Sequence, residues 1–493
     1  MKPRFHSILF AAVMVFLPAF LAAQNSGSGF PSDSATSADP AIARLQSNIP
    51  KLMKQADVPG LSIAILKHGQ TYWSHNFGVK NARTNEPVTD ETIFEAASLS
   101  KPVFTYAVLK LVDQGKLGLD VPLTTYLPKP YIEGDDRLAK ITARIVLSHR
   151  TGFRNWRGEG NVLKIYFAPG ERFSYSGEGF VYLQRVVEQI AGKPLNLVMD
   201  DLVFTPLGMA SSSYVWRADF DERTATGHDT TATPQDLWKP KEAGAASTLN
   251  TTAHDYALFL AAVLNGTGLT RATVREMETP QIAVDSECTN CTDRKPKELS
   301  KNIFWGLGWG IQRVGKTESL WHWGDNGSFK CFVVADPQRK SGLVMFTNSE
   351  NGLAIAPAVV HDATGADYLA FAWLKYDAYD SLAMRFSKAV RERGVEASIQ
   401  EFDGSFKSGT ISEGSINSVG YRLLSQKRFA DAIRIFQLNA ALHPQSANVF
   451  DSLGEAYMDS GDKALAIQFY EKSLALDPDN SNALSRIKKL KEN

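Results

Sequence analysis

The sequence predicts an α+β protein: one antiparallel sheet flanked by helices, a helical subdomain inserted between the strands, and an all-α tail. Three observations carry this. Short strand-like runs lie near residues 61–77 and again within residues 305–347. The stretch between them, roughly residues 98–265, reads mainly as helix, and the C-terminal stretch repeats itself with a period of 34 residues.

The first strand pair is residues 61–66 (LSIAIL) and 71–77, joined by the turn residues His68-Gly69. The second is residues 329–335 (FKCFVVA) and 343–347 (LVMFT), flanking the turn 336–342; residues 305–314 and 320–323 add two further strands. Strands at both ends of a helical middle are expected to close a single sheet. Within the insertion, residues 103–114 (VFTYAVLKLVDQ) are apolar nearly all round, which predicts a buried helix stopped by Gly115. Residues 142–148, 179–191 and 252–264 are further helices. Ile42, Leu45, Ile49 and Leu52 recur at helical spacing and mark the start of ordered structure.

A chain of 493 residues is too long for one core, and its 44% apolar and 22% charged content is ordinary for a globular protein. Lys plus Arg and Asp plus Glu number 53 each, which argues against a bulk nucleic-acid binder. Lys2, Arg4 and His6 precede an apolar run over residues 8–23 ending in Ala22-Ala23. This reads as a cleaved export signal, with an uncleaved anchor as the alternative. Residues 24–40, rich in Ser, Gly, Ala and Asp, are expected to be a disordered leader. Cys288 and Cys291 form C-x-x-C in a polar loop, for which a local disulfide is the simplest reading; a zinc site would need Cys331 and a fourth ligand.

In the tail, Ile416, Val419, Gly420, Leu423, Ala432, Phe436 and Pro444 recur 34 residues later as Phe450, Leu453, Gly454, Tyr457, Ala466, Tyr470 and Pro478. This resembles the tetratricopeptide pattern. Two units and a capping helix are few for independent stability, so the module is expected to pack on a linker helix near residues 379–394 or on the main domain. The expected division is therefore signal 1–23, leader 24–40, main domain 41–375, linker 376–415 and repeats 416–493.

Ser98-Leu99-Ser100-Lys101 is an S-x-x-K. Ser460 to Lys463 and Ser485 to Lys488 fit the same pattern, but only Ser98 follows an extended segment and precedes a buried apolar helix. That context places Ser98 at a helix N-terminus with Lys101 one turn on, beside the hydroxyl it would activate. Tyr175, in Ser174-Tyr175-Ser176-Gly177, is the candidate proton carrier, its pKa expected to be depressed by the nearby ammonium. His322-Trp323-Gly324 lies on a strand whose next amide, Asp325, is placed to join Ser98 in an oxyanion hole, with Gly324 admitting the substrate. His149 reads as a structural histidine in a helix-ending turn. Trp321, Trp323 and Trp156 are candidate apolar lining.

In this order the motifs resemble those of class C β-lactamases, D,D-peptidases, D-aminopeptidases and related esterases, the β-lactamase/transpeptidase-like group. Val58-Pro59-Gly60, Phe94-Glu95-Ala96-Ala97, Leu147-Ser148-His149, Pro206-Leu207-Gly208-Met209 and Gly306-Leu307-Gly308-Trp309-Gly310 extend the resemblance over roughly residues 45–360. It implies that Ser98 is acylated, that Lys101 and Tyr175 manage protons, and that Gly177, His322, Trp323 and Gly324 bind substrate. Gly177 stands where the family often has Asn, and His322 where β-lactamases usually carry a carboxylate-binding Lys. Both departures point towards ester or peptide hydrolysis. A class C-type β-lactamase and a non-catalytic sensor or scaffold are the alternatives. No metal or other cofactor is implied. The expected partners are a small-molecule or peptide substrate and a protein held by the repeats, with no nucleic acid and no membrane span once the signal is cleaved.

Overall fold

The computed structural model describes residues 39–157 and 162–492. The expected signal and nearly all of the leader lie outside the described residues. Order begins slightly inside the leader: helix α1 (Pro40–Ala56) is capped by the Asp39 carboxylate, which accepts from the Ala41 N–H at 2.9 Å, with Pro40 in the first turn. Its periodic residues Ile42, Leu45, Ile49 and Leu52 are all buried.

Eleven strands follow among the described residues: β1 (Gly60–Lys67), β2 (Gln70–Asn81), β3 (Glu86–Pro87), β4 (Phe94–Glu95), β5 (Asn250–Thr251), β6 (Ile282–Asp285), β7 (Leu299–Trp305), β8 (Gly310–Val314), β9 (Thr317–Asp325), β10 (Lys330–Asp336) and β11 (Ser341–Thr347). Nine of them form one sheet in the order β3-β2-β1-β11-β10-β9-β8-β7-β6, antiparallel throughout; β4 and β5 pair separately. The N- and C-terminal strands meet as expected, Leu61 opposite Thr347 and Leu66 opposite Gly342. One expectation needs correcting. Residues 305–314 are not a single strand, because residues 306–309 turn the chain back, closed by the Gly306 N–H donating to the Trp309 carbonyl at 2.8 Å. Bulky residues in that turn give it a strand-like reading; Leu307 and Trp309 are buried on the sheet rather than within it.

Both faces of the sheet are covered, which is why β10 reads as nearly continuous apolar sequence. Its Val333 and Ala335 join Ala64, Leu66, Val344 and Phe346 on one face, under α2 (Ser100–Asp113), α3 (Gly177–Ala191) and α4 (Ala253–Asn265). Phe332 and Val334 join Ile63, Ile65, Leu343 and Met345 on the other, under α1 and α5 (Gly352–Thr364). Period-2 alternation thus sorts side chains between two cores instead of between core and solvent. Cys288 and Cys291 are disulfide-bonded in the loop between β6 and β7, whereas Cys331 is buried on β10 with its thiol donating to the Ala96 carbonyl at 3.0 Å. The three cysteines are not gathered into one site.

The tail is wholly helical: α6 (Leu382–Arg393), α7 (Val395–Lys407), α8 (Glu413–Ser425), α9 (Phe429–Leu442), α10 (Ala447–Asp459), α11 (Lys463–Leu476) and α12 (Ser481–Glu492). The glycine positions do what the repeat pattern requires. A Cβ on Gly420 would overlap the Phe436 ring, and one on Gly454 the Tyr470 ring, so each helix pair closes ring against backbone. Helices α9 and α11 stop before Pro444 and Pro478. One apolar cluster runs from Ala383 through Phe402 and Phe436 to Ala456, so α6 and α7 pack with the repeats. The assembly is tied to the main domain by Arg391 on Asp57 at 2.7 Å, and to the start of the linker by Ser415 donating to Asp377 at 3.1 Å. Among the described residues, no helix is long and apolar enough to cross a membrane.

Candidate active site

The chain leaves β4, turns through a 3-10 turn (Ala97–Leu99) and enters α2. Ala97 holds φ at +48°, a left-handed conformation that costs a non-glycine residue about 1–3 kcal/mol. The strain is locked in by Ser100, whose Oγ donates to the Ala97 carbonyl at 2.5 Å and accepts from the Leu249 N–H at 3.0 Å. The result lifts Ser98 to partial exposure while Leu99, Ser100 and Lys101 are buried.

Lys101 has no exposed surface. Its Nζ lies 3.0 Å from Ser98 Oγ and 2.8 Å from the Ala246 carbonyl, with the Tyr175 ring 4.8 Å away. Among the described residues no carboxylate contacts it, and burial drives its pKa well below the ordinary lysine value. Tyr175 is buried too, and its Oη makes no hydrogen bond. The expected depression of its pKa is not found. Burial pushes the phenol up, and the proximity of Ser98 offsets only part of that. Burial thus works in favour of the neutral form of both the amine and the phenol.

His149 is structural as expected, yet it sits directly on the site. Its ring stacks on Tyr175 at 4.2 Å, and Nδ1 accepts from the Ser176 N–H at 3.0 Å. On β9, His322 is fully buried, with Nδ1 2.8 Å from the Trp323 carbonyl. Burial, with Lys101 nearby, lowers its pKa to about 3. Trp323 is almost buried, its ring 4.8 Å from that of Tyr175. The space on Gly324 is filled by the nucleophile turn rather than left to a substrate: a Cβ there would overlap Cys331 Sγ and lie 2.5 Å from the Ala96 carbonyl. The His322 side chain is thus enclosed in the site rather than presented at its surface, and Gly324 lets the strand pack directly on the turn that carries Ser98. The Asp325 carboxylate pairs with Lys330 and accepts from Tyr376 Oη at 2.6 Å and from the Gly327 N–H at 2.9 Å.

At the first position of α3, the Gly177 N–H donates to Asn155 Oδ1 at 2.8 Å. The Trp156 indole lies where a side chain on Gly177 would go, 2.7–3.0 Å from an ideal Cβ, and is 48% exposed. Gly177→Asn must therefore push the indole aside. The expected result is a KM for an aromatic or butyrate ester about tenfold higher, equivalent to losing one aromatic contact. The melting temperature should change little, because the ring is free to move into solvent; kinetics and thermal melts on the variant check both.

Two contributors carry no motif, the Ala246 carbonyl and Tyr376, and the stacking of His149 on Tyr175 is not readable from its segment. A backbone carbonyl leaves no trace in residue type, and Tyr376 comes from the segment expected to be linker.

Comparison with known proteins shows the family and the fold. A beta-lactamase family profile matches residues 45–363. The chain belongs to the beta-lactamase family. A tetratricopeptide-repeat profile matches residues 447–480 of the tail. This beta-lactamase-family chain is 29% identical over 204 residues to Esterase EstB of Burkholderia gladioli, covering 35% of the chain and 51% of the esterase. It is 25% identical over 339 residues to Penicillin-binding protein 4 of Amycolatopsis lactamdurans, covering 63% and 86%. A Beta-lactamase of Pseudomonas fluorescens is 28% identical over 177 residues, 34% of the chain and 48% of the enzyme. The match thus spans about half the length of the esterase and of the Pseudomonas enzyme. Among solved structures, the octameric penicillin-binding protein homologue from Pyrococcus abyssi superposes with TM-score 0.56 at 24% identity, covering 71% of this chain and 82% of that one. A class C beta-lactamase does so with TM-score 0.57 at 19% identity, covering 69% and 99%. These establish the fold as that of the beta-lactamase family of serine hydrolases.

Proposed function

We propose that the chain is an exported serine hydrolase that cleaves uncharged acyl esters through an acyl-serine intermediate. The observation that carries this is the partly exposed Ser98 hydroxyl 3.0 Å from the amine of a lysine with no exposed surface and, among the described residues, no carboxylate partner. A neutral amine in that place is a base, not a counter-ion.

In acylation, Lys101 takes the Ser98 proton as Oγ attacks the ester carbonyl. The amides of Ser98 and Asp325 hold the oxyanion. Tyr175 gives its phenolic proton to the departing alkoxide and regains one from the Lys101 ammonium. Water then attacks the acyl-serine, with the same groups carrying the proton back. No step needs a metal or a cofactor. The preference for esters over β-lactams and D-peptides rests on charge. The strand position that would meet a substrate carboxylate is His322, which is buried and neutral at physiological pH, and Lys330 is already paired with Asp325.

A fluorophosphonate probe should label Ser98, as mapped by peptide mass spectrometry, and Ser98→Ala should lose both the label and hydrolysis of p-nitrophenyl butyrate. Labelling elsewhere, or a rate unchanged in the variant, would sink the proposal. A higher kcat/KM for nitrocefin than for the ester would make the chain a β-lactamase instead.

A further inference from the structure

Ser98 Oγ accepts from the Lys101 amine at 3.0 Å, whereas among the described residues Tyr175 Oη has no hydrogen bond of normal geometry, so the place of the tyrosine is set by ring packing and by its backbone. That backbone is gripped from one side by the four residues inside the disulfide ring. The Tyr175 N–H donates to the Thr289 carbonyl at 2.8 Å. The Asn290 amide, turned so that its nitrogen faces the tyrosine, donates to the Tyr175 carbonyl at 3.1 Å. Both residues lie between Cys288 and Cys291, which the disulfide closes into a short ring. One residue further on, the Thr292 carbonyl accepts from Arg172 at 3.2 Å. The loop is held to the body of the domain at its start, where the Asp285 carbonyl accepts from Trp373 Nε1 at 2.7 Å and the Glu287 carbonyl accepts from Lys375 at 2.7 Å. Cys288 and Cys291 are both partly exposed, within reach of a small thiol.

We infer that the Cys288–Cys291 ring is a strap that positions Tyr175, so that opening the disulfide slackens the tyrosine and slows proton transfer without unfolding the enzyme. Thr289 and Asn290 are positioning residues: neither touches the reacting atoms. A four-residue ring presents its carbonyl and amide in one fixed relation. The same residues in an open loop gain conformational freedom, and the two bonds to Tyr175 then have to be made at an entropic cost. A shift of about 1 Å in a catalytic group is enough to cost about 100-fold in rate. Reduction is balanced by the reductant. One dithiothreitol molecule delivers two electrons and two protons, leaving thiols on Cys288 and Cys291 and closing to its own cyclic disulfide. Cys331, a free thiol buried on β10, is chemically unchanged.

The kinetic arm of the test rests on the acyl-serine reading; the structural arm does not. The full-length protein is assayed oxidised, after dithiothreitol with the two new thiols counted by alkylation and mass, and after reoxidation. Hydrogen exchange of the peptide containing Tyr175 is followed in parallel. Reduction is expected to lower kcat for p-nitrophenyl butyrate about tenfold or more, with KM within about twofold, to speed exchange at the Tyr175 amide, and to be reversed on reoxidation. In a Tyr175→Phe background, reduction should change the residual rate by less than about twofold, since the group being positioned is gone. Asn290→Ala, which keeps the disulfide, should reproduce part of the kcat loss and cover the case in which reduction unfolds the domain. Full reduction with kcat and exchange both unchanged overturns the strap, as does an equal loss in the Tyr175→Phe background. Faster exchange in a protein that hydrolyses no ester in either state upholds the strap and overturns the hydrolase reading.

Discussion

Lys101→Met is expected to lower kcat/KM about 1,000-fold while leaving the protein as stable as before, or more so. The rate loss follows from removing the base that takes the Ser98 proton, a contribution that spans about 10²–10⁴-fold. The stability follows from burial. The lysine has no exposed surface and lies beside the Tyr175 and Phe180 rings, so a methionine of similar length fills the space and removes the desolvation cost, which offsets the loss of the bonds to the Ala246 carbonyl and Ser98. The pH dependence gives the test a sign. Because burial lowers the Lys101 pKa, the unfolded chain binds a proton that the folded chain has released over the window between the two values, so stability rises with pH there. In the proposed mechanism the deprotonated amine is the active form, so kcat/KM rises through the folded pKa and then levels. In Lys101→Met both slopes should vanish. A pH–rate profile with an unchanged acid limb in the variant would show that another group carries the proton.

Gly324→Ala is expected to be nearly as damaging to the rate, by another route. The added methyl would overlap Cys331 Sγ, meet the Ala96 carbonyl at 2.5 Å and Ala97 Cβ at 3.1 Å, and two of those three neighbours belong to the strained turn that lifts Ser98. A backbone carbonyl on one side and the buried Cys331 sulfur on the other leave little room to give. Overpacking of this kind costs about 1–3 kcal/mol, and a nucleophile pushed by about 1 Å loses about 100-fold in kcat. Gly404→Ala, at a helical glycine with nothing within 4 Å, is the control and should be neutral or slightly stabilising. Thermal melts and ester kinetics on the pair check it; a Gly324→Ala enzyme with native kcat would mean that the turn does not lean on β9.

Much of this architecture was legible in the sequence because it is written in local patterns. The helical spacing of Ile42, Leu45, Ile49 and Leu52, the apolar helix after Ser98, and the paired Gly and Pro of the repeats each specify one element by periodicity or by a steric need. What failed to show was long-range. Gly306 and Gly308 do mark residues 306–309 locally as a turn, Gly308 holding φ at +75°, but the bulky Leu307 and Trp309 between and after them give the segment a strand-like reading, because that bulk is buried against elements contributed from elsewhere. The protonation states of Lys101 and Tyr175 depend on how completely each is buried, and a motif records residue type, not dielectric. His322 and Gly324 were correctly placed beside the nucleophile, but which side of them faces the ligand depends on the crossing of β9 with the turn before α2.

The pairing of β1 with β11 sets a condition on how the chain is made. Leu61 finds Thr347 only after the whole insertion has been synthesised, so the early hairpin leaves the ribosome with one apolar edge unpaired. At about 5–20 residues per second that edge waits roughly 15–60 s for its partner. Contacts this distant in sequence are slow to form and leave the chain open to aggregation until they do. The domain therefore gains its two-sided core late, and the nascent chain needs its first strands shielded, by a holding chaperone or by transient cover from α1, until the last strand arrives.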